Sequence, residues 1–112
     1  SAAALLGEWA SQHTLSALPP VLVGPDEEAA QWVNAAAAQR GLQTAVCKKV
    51  RNGDRHVEVA LPDIDLRGRA VVLIDDVASS GHTLAQAALQ LKARLEGVPT
   101  PVYGLAPVHH TA

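Results

Sequence analysis

Phenylalanine and methionine are absent from this chain, and the aromatic residues stop at two Trp and one Tyr. A core must therefore be aliphatic and alanine-rich, filled by small and branched side chains rather than by rings. A lone cysteine, Cys47, excludes an internal disulfide, and its place in an apolar run agrees with a reducing compartment. No apolar run approaches the ~20 residues of a membrane span, and no segment reads as a signal peptide. A surplus of positive charge is missing too: the formal net charge is −2 and no basic face dominates. That balance argues against a nucleic-acid surface. The expectation is a cytosolic protein whose partners include neither membrane nor nucleic acid. Absence of Met, a start inside an expected helix and an end just after an expected strand together read as a piece of a longer protein.

What is present suits one core. The 112 residues are 48% hydrophobic, and two independent cores are not expected at this length. The apolar pattern predicts a helix over Ala2 to Gln12, a strand over Val21 to Val23, and a helix from Asp26 to Arg40 that stops at Gly41. A second strand is expected at Thr44 to Cys47 and a polar turn at Lys48 to Arg55. A third strand, His56 to Ala60, returns from that turn, and Asn52-Gly53 is a strong hairpin signal. Strands at Val71 to Ile74 and Pro101 to Ala106 flank a helix over Thr83 to Leu95. Helices alternating with apolar strands give an α/β domain, a mostly parallel sheet flanked by helices, with one projecting hairpin.

The most informative string is VVLIDDVASSGHTL, Val71 to Leu84. Four apolar residues rich in β-branching form a buried strand, Asp75 and Asp76 follow, and a Ser-Ser-Gly-His-Thr turn opens a helix. Such a turn lies at the carboxyl edge of the sheet, where open α/β folds bind ligands. Its backbone N–H groups and the positive end of the helix dipole suit a phosphate monoester. Carboxylates are poor phosphate ligands but accept hydrogen bonds from sugar hydroxyls, so the combination suits a ribose phosphate. The plainer alternative is a strand end followed by a helix cap, which requires neither two acids nor two hydroxyls.

This string resembles the 5-phosphoribosyl 1-pyrophosphate (PRPP) motif of the type I phosphoribosyltransferase superfamily. More narrowly, VLVGPDEEAAQW at Val21 to Trp32, CKKVRNGDRHVEV at Cys47 to Val59, and LPDIDLRGRAVVLIDD are similar to the carboxy-terminal half of ribose-phosphate pyrophosphokinases, in family order. The resemblance implies that residues 1–112 are one phosphoribosyltransferase-like domain of a longer, cytoplasmic, homo-oligomeric enzyme. It implies a transferase of nucleotide biosynthesis that moves a diphosphoryl group from ATP to ribose 5-phosphate, giving AMP and PRPP, with Mg²⁺ as cofactor. Ser79, Ser80, Gly81, His82 and Thr83 would hold the 5-phosphate, and Asp75 and Asp76 the ribose hydroxyls. Lys49 and Arg51, in a Lys-x-Arg pattern, would close over the ATP phosphates. Much of the ATP-binding apparatus lies in the other half of such enzymes, so the isolated chain is expected to bind ribose phosphate with little or no turnover. A stand-alone phosphoribosyltransferase and a non-catalytic module binding ribose phosphate or PRPP stay open as alternatives.

Two charged segments extend this reading. Gly24-Pro25-Asp26-Glu27-Glu28 opens a helix after a strand, where acids are favourable with the dipole in any protein. The resemblance implies that this loop sits by the pyrophosphate, where three carboxylates would repel it unless a divalent cation intervened, which makes Asp26 the expected Mg²⁺ ligand, direct or through water, ahead of Glu27 and Glu28. The hairpin carries Lys48, Lys49, Arg51 and Arg55 against Asp54. A solvated turn explains such a cluster as readily as phosphate binding does. His109 and His110 read as surface residues, and Cys47 and Trp32 as packing.

Overall fold

Val21 to Val23 and Val71 to Ile74 lack the polar alternation of a sheet face open to water, a pattern expected of strands covered on both sides. The computed structural model describes residues 2–14, 16–51, 53, 57–76, 81–98 and 100–105. Among these the order is α1 (Ala2–His13), β1 (Val21–Gly24), a 3₁₀ turn (Glu27–Ala29), α2 (Ala30–Ala37), β2 (Thr44–Val46), β3 (Lys48–Arg51), β4 (Val57–Ala60), β5 (Val71–Ile74), α3 (Gly81–Arg94) and β6 (Val102–Leu105). Strands β2-β1-β5-β6 form a parallel sheet in that order, and β3 and β4 form a separate antiparallel pair. The α/β sheet with its hairpin matches the sequence-based expectation. No helix among the described residues is long and apolar enough to cross a membrane.

Alternation along the two central strands divides the core. Val21, Val23, Val71 and Leu73 face one way and pack with Ala87 and Leu91 of α3 and with Val59 of β4. Leu22, Val72 and Ile74 face the other way and pack with Ala10 of α1 and with Val33, Ala36 and Ala37 of α2. Successive side chains of a strand point to opposite faces, so one apolar run serves two layers. Every residue of β1 and β5 is buried as a result.

The connections place the ligand edge. From β1 the chain passes through α2 to β2 on one flank, and from β5 through α3 to β6 on the other. The two crossovers use opposite faces and diverge between β1 and β5, so the carboxyl ends of these strands flank a topological switch point. Val23 pairs with Leu73, and two residues further that register brings Pro25 level with Asp75.

Most boundaries fall within one or two residues of expectation, the last helix starting at Gly81 rather than Thr83, and two elements differ more. The helix expected over Asp26 to Arg40 begins as a 3₁₀ turn and is α-helical only from Ala30 to Ala37, because Asp26 caps the turn with its own side chain. The helix also stops three residues short of the expected Arg40, and a turn carries the chain on to Gly41, whose φ of 62 suits glycine. The polar turn expected from Lys48 is instead strand to Arg51, fully exposed along its length. Backbone pairing with β4, not burial, makes it a strand, and the pattern of side chains carries no trace of that.

Gly7 marks where α1 and α2 approach most closely: a Cβ there would lie 1.9 Å from the Ala36 carbonyl oxygen. Gly7→Ala is therefore expected to destabilise the fold by about 1–3 kcal/mol through overpacking, although alanine is the better helix former by about 1 kcal/mol. Leu5→Ala, at an exposed position of the same helix, serves as the control with a change within about 0.5 kcal/mol. Urea denaturation measures both; an unchanged or raised midpoint for Gly7→Ala contradicts this packing.

Candidate functional site

Three segments converge on the carboxyl edge at the switch point. At the end of β5, Asp75 is buried, 3% exposed, and its Oδ1 accepts the Asp76 backbone N–H at 2.8 Å. Asp76 is half-buried beside it. The strand thus ends in one carboxylate fixed by the backbone and a second nearer solvent.

Beyond β1 the chain turns sharply. A Cβ on Gly24 would stand 3.2 Å from the Ala29 Cβ and 3.3 Å from the Asp26 carbonyl oxygen, so the turn closes around a residue with no side chain. Pro25 is buried. Asp26 adopts an extended backbone, and its Oδ1 accepts the Ala29 N–H at 3.1 Å, capping the 3₁₀ turn. Its Oδ2 lies 3.6 Å from Lys49 Nζ. With Lys49 largely exposed, such a pair contributes at most about 1 kcal/mol and is readily exchanged for another anion.

The hairpin leaves the sheet at this corner. Cys47 donates its backbone N–H to the Gly24 carbonyl at 2.8 Å, extending the β1–β2 pairing by one step before β3 begins. Lys49 and Arg51 are two residues apart and share a face of β3, opposite Val59 and Val57 in register. They line a cleft of ≈ 580 Å³ with Pro25, Val59, Gln86, Ala87 and Gln90. Lys49 also borders a neighbouring hollow of ≈ 400 Å³ with Asp26, Glu27, Glu28, Cys47 and Lys48.

The structure thus joins Asp26, Lys49 and Arg51 around two adjoining hollows and sets Asp75 and Asp76 along the same sheet edge. Gly81, His82 and Thr83 form the first turn of α3, while Ser79 and Ser80 lie outside the described residues. Gln86 and Gln90 were not legible as site residues; the signal was a pair of amides four apart on a helix face that also carries Ala87 and Leu91. Among the described residues, no group of three or more His, Cys, Asp or Glu is arranged to hold a metal. Asp26 keeps one carboxylate oxygen on the Ala29 N–H and the other towards Lys49.

Cys47 lines the smaller hollow but is buried in the core. Burial pushes its thiol up to about 11, partly offset by the Arg94 charge and reinforced by Asp26. A raised thiol pKa means the folded state keeps its proton where the unfolded state has lost it, so stability is retained below the ordinary value and falls as pH climbs towards about 11. We expect Cys47→Ala to abolish that decline in alkaline denaturation curves, and the native thiol to resist alkylating reagents at neutral pH. Rapid modification of the folded protein contradicts this.

Comparison with known proteins agrees with this geometry. The model of the phosphoribosyl transferase domain family matches residues 1–96. The chain is 37% identical over 93 residues to the ribose-phosphate pyrophosphokinase of Methanosarcina acetivorans, covering 83% of this chain and 32% of that protein. It is 37% identical over 73 residues to the enzyme of the same name from Thermoplasma acidophilum, covering 65% of this chain and 26% of that protein. The chain spans about a third or less of these curated relatives. A hypoxanthine phosphoribosyltransferase structure from Staphylococcus aureus superposes with a TM-score of 0.62 at 15% identity, over 94% of this chain and 59% of that one, a likeness of fold alone. With its sheet order, its switch-point acids and a family match over most of its length, the chain belongs to the phosphoribosyl transferase domain family.

Proposed function

We propose that this chain is the ribose-phosphate-binding domain of a ribose-phosphate diphosphokinase, which transfers a diphosphoryl group from ATP to ribose 5-phosphate. The observation that carries the reading is the convergence, at one switch point, of two adjacent carboxylates, an acidic strand-to-helix turn and a hairpin whose two cations share one face. Similarity to ribose-phosphate pyrophosphokinases over most of the chain supports it.

In this reading Ser79 to Thr83 hold the 5-phosphate, with Gly81 to Thr83 forming the first turn of α3, where backbone N–H groups lack intrahelical acceptors. Asp75 and Asp76 accept hydrogen bonds from the ribose hydroxyls, and Asp75, held through its Oδ1, fixes the sugar's orientation. The anomeric hydroxyl oxygen attacks the β-phosphorus of ATP and its proton passes to solvent. The bond from the β-phosphorus to the α,β-bridging oxygen breaks, and that oxygen leaves on AMP. Negative charge grows on that bridging oxygen and on the transferring group, the charge Lys49 and Arg51 are suited to stabilise. Lys49 first has to part from Asp26, which frees a carboxylate oxygen. Mg²⁺ bound with ATP supplies neutralisation of the polyphosphate. A silent sugar-phosphate module has no use for two cations on one face of a hairpin, which favours the catalytic reading.

Lys49→Ala and Arg51→Ala in the full-length protein are expected to lower kcat by about 100-fold or more, while the KM for ribose 5-phosphate stays within a few-fold, as for groups used mainly in the transition state. Steady-state kinetics with ATP and ribose 5-phosphate measure both. A large rise in KM at intact kcat makes the hairpin a ground-state binding element instead.

A further inference from the structure

The hairpin that carries Lys49 and Arg51 is tied to α3 as well as to its own strand partner. Val59 of β4 turns its backbone N–H away from β3 and donates it to Gln90 Oε1 at 2.6 Å. One turn along the helix, Arg94 Nη2 meets Glu58 Oε2 at 3.0 Å. Between these contacts the Val59 side chain packs with Ala87 and Leu91. Positions 87, 90, 91 and 94 form one stripe of α3 by helical spacing. The hairpin base therefore lies along the middle of that stripe. Val59 is also the residue directly opposite Lys49, so fixing Val59 fixes the strand position from which Lys49 reaches the cleft.

The first turn of the same helix is Gly81 to Thr83, the end of the proposed phosphate seat. At 1.5 Å per residue, Gly81 and Gln90 are about 14 Å apart along a rigid rod. One element thus holds both the turn that would grip the sugar phosphate and the anchor of the cations that would meet the polyphosphate. We infer that Gln90 is a positioning residue for the transfer: through the Val59 N–H it sets the distance between the phosphate seat and the Lys49–Arg51 face. The exposed Arg94–Glu58 pair contributes little by itself. This inference rests on the diphosphokinase reading for its catalytic consequence and on geometry alone for the anchor.

Both parts are separable by experiment on the full-length protein. Gln90→Leu keeps the volume and the helix propensity but removes the acceptor; Gln90→Asn keeps the amide but is one methylene too short to reach. In each, amide hydrogen exchange in Lys48–Arg51 and Val57–Ala60 should accelerate about tenfold or more, while Val71–Ile74 is unchanged. Turnover should fall about tenfold at a KM for ribose 5-phosphate within about two-fold of wild type. Gln90→Glu, which retains an acceptor oxygen, should recover most of both. Unchanged hairpin exchange overturns the anchor, and a loosened hairpin with wild-type kcat overturns the positioning role. Should wild-type protein form no PRPP, the diphosphokinase reading and the catalytic consequence fall together, and the exchange comparison still decides whether Gln90 holds the hairpin.

Discussion

Burial of β1 and β5 on both faces is the constraint from which the remaining architecture follows. Strands this apolar need cover above and below, and with few aromatic side chains available that cover comes mainly from aliphatic residues of α1 and α2 on one side and α3 with the hairpin on the other. Parallel neighbours require crossovers, and crossovers on opposite faces diverge. The crevice between the ends of β1 and β5 is therefore a by-product of satisfying the core, and polar chemistry can be placed there at little cost to packing.

Electrostatics then divides the edge into parts. Asp75 is nearly removed from solvent and bonded to the backbone, a suitable way to hold an acceptor rigid. Asp26 spends one oxygen on a helix cap and presents the other to Lys49. That pair is weak because its cation is exposed, which is what a site needs if a phosphate is to displace the carboxylate. Lys49 and Arg51 stand on a strand that buries nothing itself, so the hairpin depends on β4 and α3 for its position. The organisation separates a fixed floor of carboxylates from a cationic cover attached through a few contacts.

Much of this was legible in the sequence, for physical reasons that vary by element. Val71 to Ile74 was recognisable to the residue because a continuous β-branched run bounded by acids admits few other structures, and Gly41 was recognisable because its positive φ suits glycine. The start of α2 was misjudged: Asp26 and the acids after it fit a helix N-terminus, and nothing local distinguishes a 3₁₀ turn from the first α turn. β3 was invisible as a strand because its Lys and Arg side chains bury no face, and pairing with β4 decides its conformation. Gln86 and Gln90 were overlooked because amides on a helix look like solvent-facing residues until a partner strand is placed against them. Asp75 and Asp76 stood out by residue type at a strand end, whereas Asp26, Lys49 and Arg51 were singled out through the family resemblance; Ser79 and Ser80 lie outside the described residues.

The central claim, that this edge serves diphosphoryl rather than phosphoryl or base transfer, is tested most directly by product stoichiometry. The full-length protein should be incubated with ATP, Mg²⁺ and ribose 5-phosphate, and the nucleotide and sugar products quantified together by chromatography. AMP and PRPP should appear in equal amounts, with no ADP. Formation of ADP with a singly phosphorylated transfer product, or consumption of added PRPP on supplying a nucleobase with no PRPP synthesis from ATP, would contradict the claim.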